Sequence, residues 1–198
     1  MKRIAAYLLL FLNALSAFEI FPKQTEECDW IKDYLIKIPD FPKQGVTFIS
    51  FAPLLEDPVV FDRVVQTFVE RYKNRDLDAI AGIDSRGFIF GAVLAHELKK
   101  PFIMIRKKGK LPRVVERLEY ELEHGSNTIE IEVESLRQGE KILIIDDIVA
   151  TGGTVKAAAD LVKKMGAEVA EIACLIEISS LKGREKVDHS IYSLLALE

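Results

Sequence analysis

One stretch, residues 141–165, restricts the fold more than any other part of the chain. Lys141-Ile-Leu-Ile-Ile-Asp-Asp-Ile-Val-Ala-Thr-Gly-Gly-Thr154 begins as a short apolar run, the mark of a buried strand. The run ends in two adjacent acids, Asp146 and Asp147, and opens into Ala150-Thr151-Gly152-Gly153-Thr154. Val155, Ala158, Ala159, Val162 and Met165 then recur at helical spacing. The glycine turn therefore sits at a helix N-terminus, where unpaired N–H groups and the positive end of the dipole attract a phosphate.

The residue types suit that role. Gly152 and Gly153 let the backbone approach an anion with no Cβ in the way, while Thr151 and Thr154 offer hydroxyls. Asp146 and Asp147, just upstream, can hold ribose hydroxyls or a hydrated Mg²⁺. A phosphate cradle beside a diol-binding acid pair implies a phosphorylated sugar. A Walker loop would need Gly-x-x-x-x-Gly-Lys-[Ser/Thr], and the order here is Gly-Gly-Thr-Val-Lys. No Gly-x-Gly-x-x-Gly follows any strand, so dinucleotide binding has no support either.

Other segments extend the pattern. Residues 25–37 read as a short helix with Trp30, Ile31, Tyr34 and Leu35 on one face, and Asp57-Pro58 opens a longer one through about Asn74. A strand at 79–83 leads into the turn Asp84-Ser85-Arg86-Gly87 and a helix to about Lys99. Strands follow at 101–105, 128–133, 141–147 and 169–177, with a last one near 190–195; the polar stretch 107–125 shows no clear period. Strands alternating with helices predict an α/β fold with a mostly parallel sheet flanked by helices. Ligands in such sheets bind beyond the carboxyl ends of the strands, where the turns 84–87, 106–110 and 147–154 can converge. In the first of these, Arg86 can pair with phosphate, and the amides of Ser85, Arg86 and Gly87 can meet pyrophosphate oxygens.

The bulk numbers agree with a small-molecule site. At 198 residues a single domain is expected, and 27 basic against 31 acidic residues leave a net charge of −4, which argues against a nucleic-acid surface. Basic residues do cluster at Arg106-Lys107-Lys108-Gly109-Lys110, a site for a polyanion when it neighbours a phosphate cradle. Cys28 and Cys174 have no metal or redox spacing, and His96 and His189 read as structural or surface residues. Residues 1–24 stand apart: Met1-Lys2-Arg3 precedes an apolar run from Ile4 to about Phe18, with small residues at Ser16 and Ala17. That pattern is signal-like and too short for a membrane span. It leaves a misassigned start, an added amphipathic segment or export open, with a cytoplasmic protein and no stable membrane insertion favoured.

Ile144-Ile-Asp-Asp-Ile-Val-Ala-Thr-Gly-Gly-Thr154 resembles the phosphoribosyl-pyrophosphate motif of type I phosphoribosyltransferases. Phe41-Pro-Lys-Gln-Gly-Val46 resembles the first motif of the family's adenine-specific branch, and Ala81-Gly-Ile-Asp-Ser-Arg-Gly-Phe88 its pyrophosphate loop. Ile105-Arg-Lys-Lys-Gly-Lys-Leu-Pro112 and Ser180-Leu-Lys-Gly-Arg-Glu-Lys186 complete a set that spans residues 25–198 in order. The resemblance implies transfer of a 5-phosphoribosyl group from phosphoribosyl pyrophosphate to adenine with Mg²⁺, in a homodimer. It also implies a mobile hood over 107–125 and a cis peptide between Asp84 and Ser85. Glu123 matches the family's proton-handling acid. Asp146 and Asp147 match its ribose-binding pair, and residues 150–154 its phosphate turn. Asp84, Ser85, Arg86, Gly87, Arg106, Lys107 and Lys110 match its pyrophosphate contacts. Val46 and Thr47 supply backbone groups to the purine, with Phe48 as the stacking partner.

Two departures stand out. The family usually reads Phe-Arg-Asp where this chain has Phe48-Ile49-Ser50, and Tyr where it has His124. A missing arginine weakens pyrophosphate binding by roughly 1.5–3 kcal/mol if nothing replaces it. The competing readings are transfer to another purine base and a non-catalytic sensor of phosphoribosyl pyrophosphate. The sensor would need a nucleic-acid-binding module or basic face that the net charge does not provide.

Overall fold

A computed structural model describes residues 28–121 and 125–198. Among these residues, seven strands form the main sheet in the order β5-β6-β4-β3-β7-β8-β9. The strands are β3 Ala79–Ile83, β4 Phe102–Lys107, β5 Val115–Glu121, β6 Ser126–Glu132, β7 Lys141–Val149, β8 Glu168–Ile178 and β9 Ile191–Leu197. Strands β4, β3, β7, β8 and β9 run parallel, while β6 and β5 add an antiparallel hairpin at one edge. A separate two-stranded ribbon pairs β1 Ile36–Ile38 with β2 Phe48–Ser50. The helices are α1 Ala52–Glu56, α2 Pro58–Tyr72, α3 Gly87–Leu98 and α4 Gly153–Lys164. No helix of the described residues is long and apolar enough to cross a membrane.

Alternation along the central strands explains their unbroken apolar sequences. Ala79, Ala81, Ile83, Ile142 and Ile144 face the core shared with Val155, Ala158 and Val162 of α4. Ile80, Leu143 and Ile145 face the other core, built from Phe68 and Tyr72 of α2 and Phe90 and Leu94 of α3. Both faces are covered, so neither set of positions tolerates a polar residue. Helix α2 starts where Asp57 accepts hydrogen bonds from the Val59 and Val60 amides (2.9 and 3.2 Å) and Pro58 occupies the first turn.

One buried acid pins α2 to the sheet. Glu171 of β8 receives Arg71 Nε and Nη2 at 2.9 and 2.8 Å and the Tyr72 hydroxyl at 2.7 Å. Burial raises its pKa, but the hydrogen bonds from Arg71 and Tyr72 outweigh this and hold the carboxyl below its usual range.

Two elements differ from the sequence reading. The expected helix at 25–37 is a 3₁₀ turn at Asp29–Tyr34 that leads at once into β1. Within the apparently aperiodic 107–125, residues 115–121 form β5, paired with β6 from Val115↔Glu132 to Glu121↔Ser126. Its alternation was hidden because acids occupy the outward positions and arginine another, so few apolar residues mark the inner face.

Candidate active site

The parallel strands follow the order β4-β3-β7-β8-β9, so the connections leave β3 and β7 in opposite directions along the sheet. A crevice opens at such a switch point, outside the carboxyl ends of the two strands. Asp84 follows β3 there, and Asp146 and Asp147 lie near the end of β7. The two turns abut: a Cβ on Gly87 would lie 2.6 Å from the Ile145 carbonyl oxygen and 3.1 Å from Asp146 Oδ1.

Residues 150–154 form the turn that opens α4. Gly152 caps α4 with φ +80°, a conformation costly for any residue with a side chain, and no side chain caps the helix. The first amides of α4 are thus left for a ligand. A cleft of about 90 Å³ is lined by Asp146 and residues 148–155. The 180–186 segment braces this turn. A Cβ on Gly183 would collide with the Ala150 carbonyl oxygen, and one on Gly152 with the Gly183 carbonyl. Arg184 holds that segment to β8 by pairing with the buried Glu177, with Nε 3.0 Å from Oε1, and donates to the Ile191 carbonyl.

The acid pair is buried and unevenly partnered. Asp146 Oδ1 accepts the Asp147 amide at 2.9 Å. Its carboxyl is pushed well above the usual range, first by burial and then by the charge of Asp147. Arg86 Nε stands 2.8 Å from Asp147 Oδ2 but outside hydrogen-bond geometry, so that buried oxygen lacks a hydrogen-bond partner. An unsatisfied buried carboxylate oxygen costs free energy that a hydroxyl or a hydrated cation would recover. The Arg86 guanidinium carbon also lies 5.1 Å from the Phe48 ring centre, and Phe41 meets Phe48 edge-on at 5.3 Å.

Asp84 gathers the other cations. Arg106 Nε lies 3.2 Å and Lys110 Nζ 3.5 Å from its Oδ2. Burial raises the Asp84 pKa, yet these partners and the Lys107 amide hold it below the usual range. The peptide between Asp84 and Ser85 is cis, as expected. Ser85 is exposed on the turn and Lys107 exposed at the end of β4. Asp84 thus stores, as neutralised pairs, cations that a pyrophosphate would attract.

The structure brings together Asp84, Arg86, Gly87, Arg106, Lys110, Asp146, Asp147 and the 150–154 turn. Phe48, the first residue of β2, reaches Arg86, while Val46 and Thr47 lie in the loop just before it and have no described contact with the cluster. One detail differs: the Val46 amide donates to the Lys43 carbonyl (3.2 Å) and its carbonyl accepts from the Phe41 amide (3.1 Å), so the Val46 N–H is committed within its own turn. Ile49 is buried in the α2–α3 core, and Ser50 Oγ accepts from the Ala52 amide at 3.4 Å. Glu123 and His124 lie outside the described residues. Sequence reasoning missed Tyr120, whose hydroxyl lies 3.3 Å from Thr154 Oγ1. Its period-2 spacing with Leu118 was the available signal.

This cradle, acid pair and cation cluster at a sheet switch point define a phosphoribosyl-transferring class of protein. Residues 54–198 match the family model described as a phosphoribosyl transferase domain, and the chain belongs to that family. Within it, the chain is similar to adenine phosphoribosyltransferase of Roseiflexus castenholzii, 46% identical over 166 residues, covering 83% of this chain and 96% of that one. Among solved structures, adenine phosphoribosyltransferase of Thermoanaerobacter pseudethanolicus matches with TM-score 0.83 and 40% identity, covering 86% of this chain and 99% of the other. The Saccharomyces cerevisiae enzyme, solved with adenine and an imino-altritol bisphosphate, matches with TM-score 0.81 and 36% identity over 85% and 98% of the two chains.

Proposed function

We propose that this protein transfers the 5-phosphoribosyl group of phosphoribosyl pyrophosphate to N9 of adenine, giving AMP and pyrophosphate, a purine-salvage reaction. The observation that carries the reading is the uncapped 150–154 turn beside the buried Asp146–Asp147 pair. Adenine as the acceptor is supported by the enzymes to which the chain is similar over most of their length, one of them solved with that base.

The reaction breaks the C1–O bond to pyrophosphate, forms C1–N9 and releases the N9 proton. Positive charge develops on the sugar, so positioning and leaving-group stabilisation outweigh nucleophile strength. The 150–154 amides and the Thr151 and Thr154 hydroxyls anchor the 5-phosphate, and this remote binding energy orients C1. Asp147 and Asp146 take the ribose diol and set a negative field near the cationic carbon. Arg86, Arg106, Lys107 and Lys110, with the Ser85 and Gly87 amides, receive the departing pyrophosphate once Asp84 releases its partners. The unsatisfied Asp147 oxygen and the acid pair fit a hydrated Mg²⁺ held mainly through substrate and water. That ion would supply charge neutralisation of the pyrophosphate. Phe48 stacks on the purine, and the Thr47 peptide replaces the committed Val46 N–H at its edge. We assign the purine proton to Glu123 on the resemblance alone.

A homodimer, with 106–110 reaching toward the partner's site, and a cytoplasmic setting complete the reading. The intracellular origin of phosphoribosyl pyrophosphate supports the setting. Residues 25–198 form the catalytic domain in this reading, and residues 1–24 lie outside the described residues. The test is AMP formation from adenine, phosphoribosyl pyrophosphate and Mg²⁺ by the purified chain. Turnover is expected with adenine; tight sugar binding without turnover on any purine would instead indicate a sensor.

A further inference from the structure

Glu130 of β6 is a fully buried acid to which the proposed reaction gives no role. Both of its oxygens are committed: Oε1 accepts from Arg117 Nε at 2.6 Å and Oε2 from the Gly109 amide at 3.0 Å. The Arg117 bond stays within the β5–β6 hairpin, whereas the Gly109 bond crosses to the turn that follows β4. That turn carries Lys110, whose Nζ lies 3.5 Å from Asp84 Oδ2. The Lys110 carbonyl accepts from Arg106 Nη1 at 3.2 Å, and Arg106 is the ladder partner of Glu130. The Lys108 amide adds a backbone bond to the Thr128 carbonyl of β6 at 3.1 Å. A bond to a carboxylate is roughly twice as strong as a neutral one, so Glu130 dominates this anchorage.

We propose that Glu130 is a positioning residue that fixes the 108–110 turn so that Lys110 and Arg106 are aimed at pyrophosphate. The inference rests on the proposed reaction and deepens it. Anchoring the backbone of the turn lowers the freedom that Lys110 must lose when it grips an anion. Glu130 is buried out of reach of any ligand and acts through the Gly109 amide.

The test is calorimetric titration of the full chain with Mg²⁺-pyrophosphate and, separately, with ribose 5-phosphate. Glu130→Met keeps the buried volume and removes the acceptor, while the half-exposed Arg117 can turn to water. Pyrophosphate affinity should fall about threefold to tenfold, and ribose 5-phosphate affinity should stay within about twofold. Glu130→Gln restores one acceptor oxygen and should recover part of the loss. With Lys110→Ala in place, Glu130→Met should add at most about twofold, because the cation it positions is gone. Unchanged pyrophosphate affinity in Glu130→Met overturns the proposal. So does an equal loss of both ligands, or a full loss added to that of Lys110→Ala. Should Glu130→Met melt early, Gly109→Ala weakens the same contact from the solvent side: its Cβ meets nothing, but it resists φ +80° and must produce the same split between ligands. If wild type binds neither ligand, the functional reading falls and this assignment with it; if wild type binds both and the variants match it, the assignment alone falls.

Discussion

Arg86 links Asp147 to Phe48: its Nε lies 2.8 Å from Asp147 Oδ2 and its guanidinium carbon 5.1 Å from the centre of the Phe48 ring. This one cation neutralises a buried carboxylate and stands over an aromatic ring. In the proposed reaction, a ribose diol on Asp147 would free the guanidinium for pyrophosphate and Phe48 for a purine.

Arg86→Gln removes a charge-assisted contact worth roughly 1.5–3 kcal/mol, so kcat/KM for phosphoribosyl pyrophosphate should fall by about tenfold to hundredfold. Steady-state kinetics with the sugar varied at fixed adenine measures this. An unaltered kcat/KM would remove Arg86 from pyrophosphate binding.

Gly183 offers a test of the cradle's support. An alanine there meets the Ala150 carbonyl oxygen and must push the 150–154 turn or the 180–186 segment outward. Gly183→Ala should cost about 1–3 kcal/mol of stability, the usual range for overpacking, and weaken ribose 5-phosphate binding as well. Urea denaturation and calorimetric titration report the two effects separately. Full stability with full affinity would mean the two loops are not coupled.

The Asp146 carboxyl is raised by burial and by its neighbour Asp147, which sets a sign for the pH dependence. The folded protein keeps a proton that the unfolded chain has lost above the ordinary carboxylate range, so the native state binds more protons there. Stability contributed by Asp146 therefore falls as pH rises through that window. The difference in unfolding free energy between wild type and Asp146→Asn, followed upward from about pH 4, should shift in favour of the variant. A pH-independent difference would mean that the carboxyl is ionised throughout.

Glu171 lies in the first half of β8, toward the sheet end remote from the switch-point crevice, so its network should govern stability and not chemistry. Arg71→Ala leaves a buried carboxylate short of its bidentate partner, which costs about 3 kcal/mol. Thermal melts should show the loss, and kcat measured well below the melting temperature should match wild type. A large fall in kcat would mean that the α2–β8 contact shapes the site.

The strand, turn and helix start at 141–154 were legible, because a strand buried on both faces must be continuously apolar and a tight turn into a helix calls for glycine. Strand β3 appears at its expected bounds for the same reason. Legibility failed where burial is partial. In β5, only Leu118 and Tyr120 mark the inner face among exposed charges. The committed Val46 amide depends on a local turn that no periodicity records. Contacts between distant segments, such as Gly183 against Gly152 or Tyr120 against Thr154, depend on packing and leave no local pattern.

The central claim is that a sugar 5-phosphate binds at the 150–154 turn with its diol on Asp146 and Asp147. A crystal structure of the chain with ribose 5-phosphate tests it most directly. The account predicts phosphate oxygens on the Thr151–Thr154 amides and ribose hydroxyls on the Asp147 carboxylate in place of Arg86. A phosphate bound elsewhere, with Arg86 still on Asp147 and nothing at the turn, would contradict it.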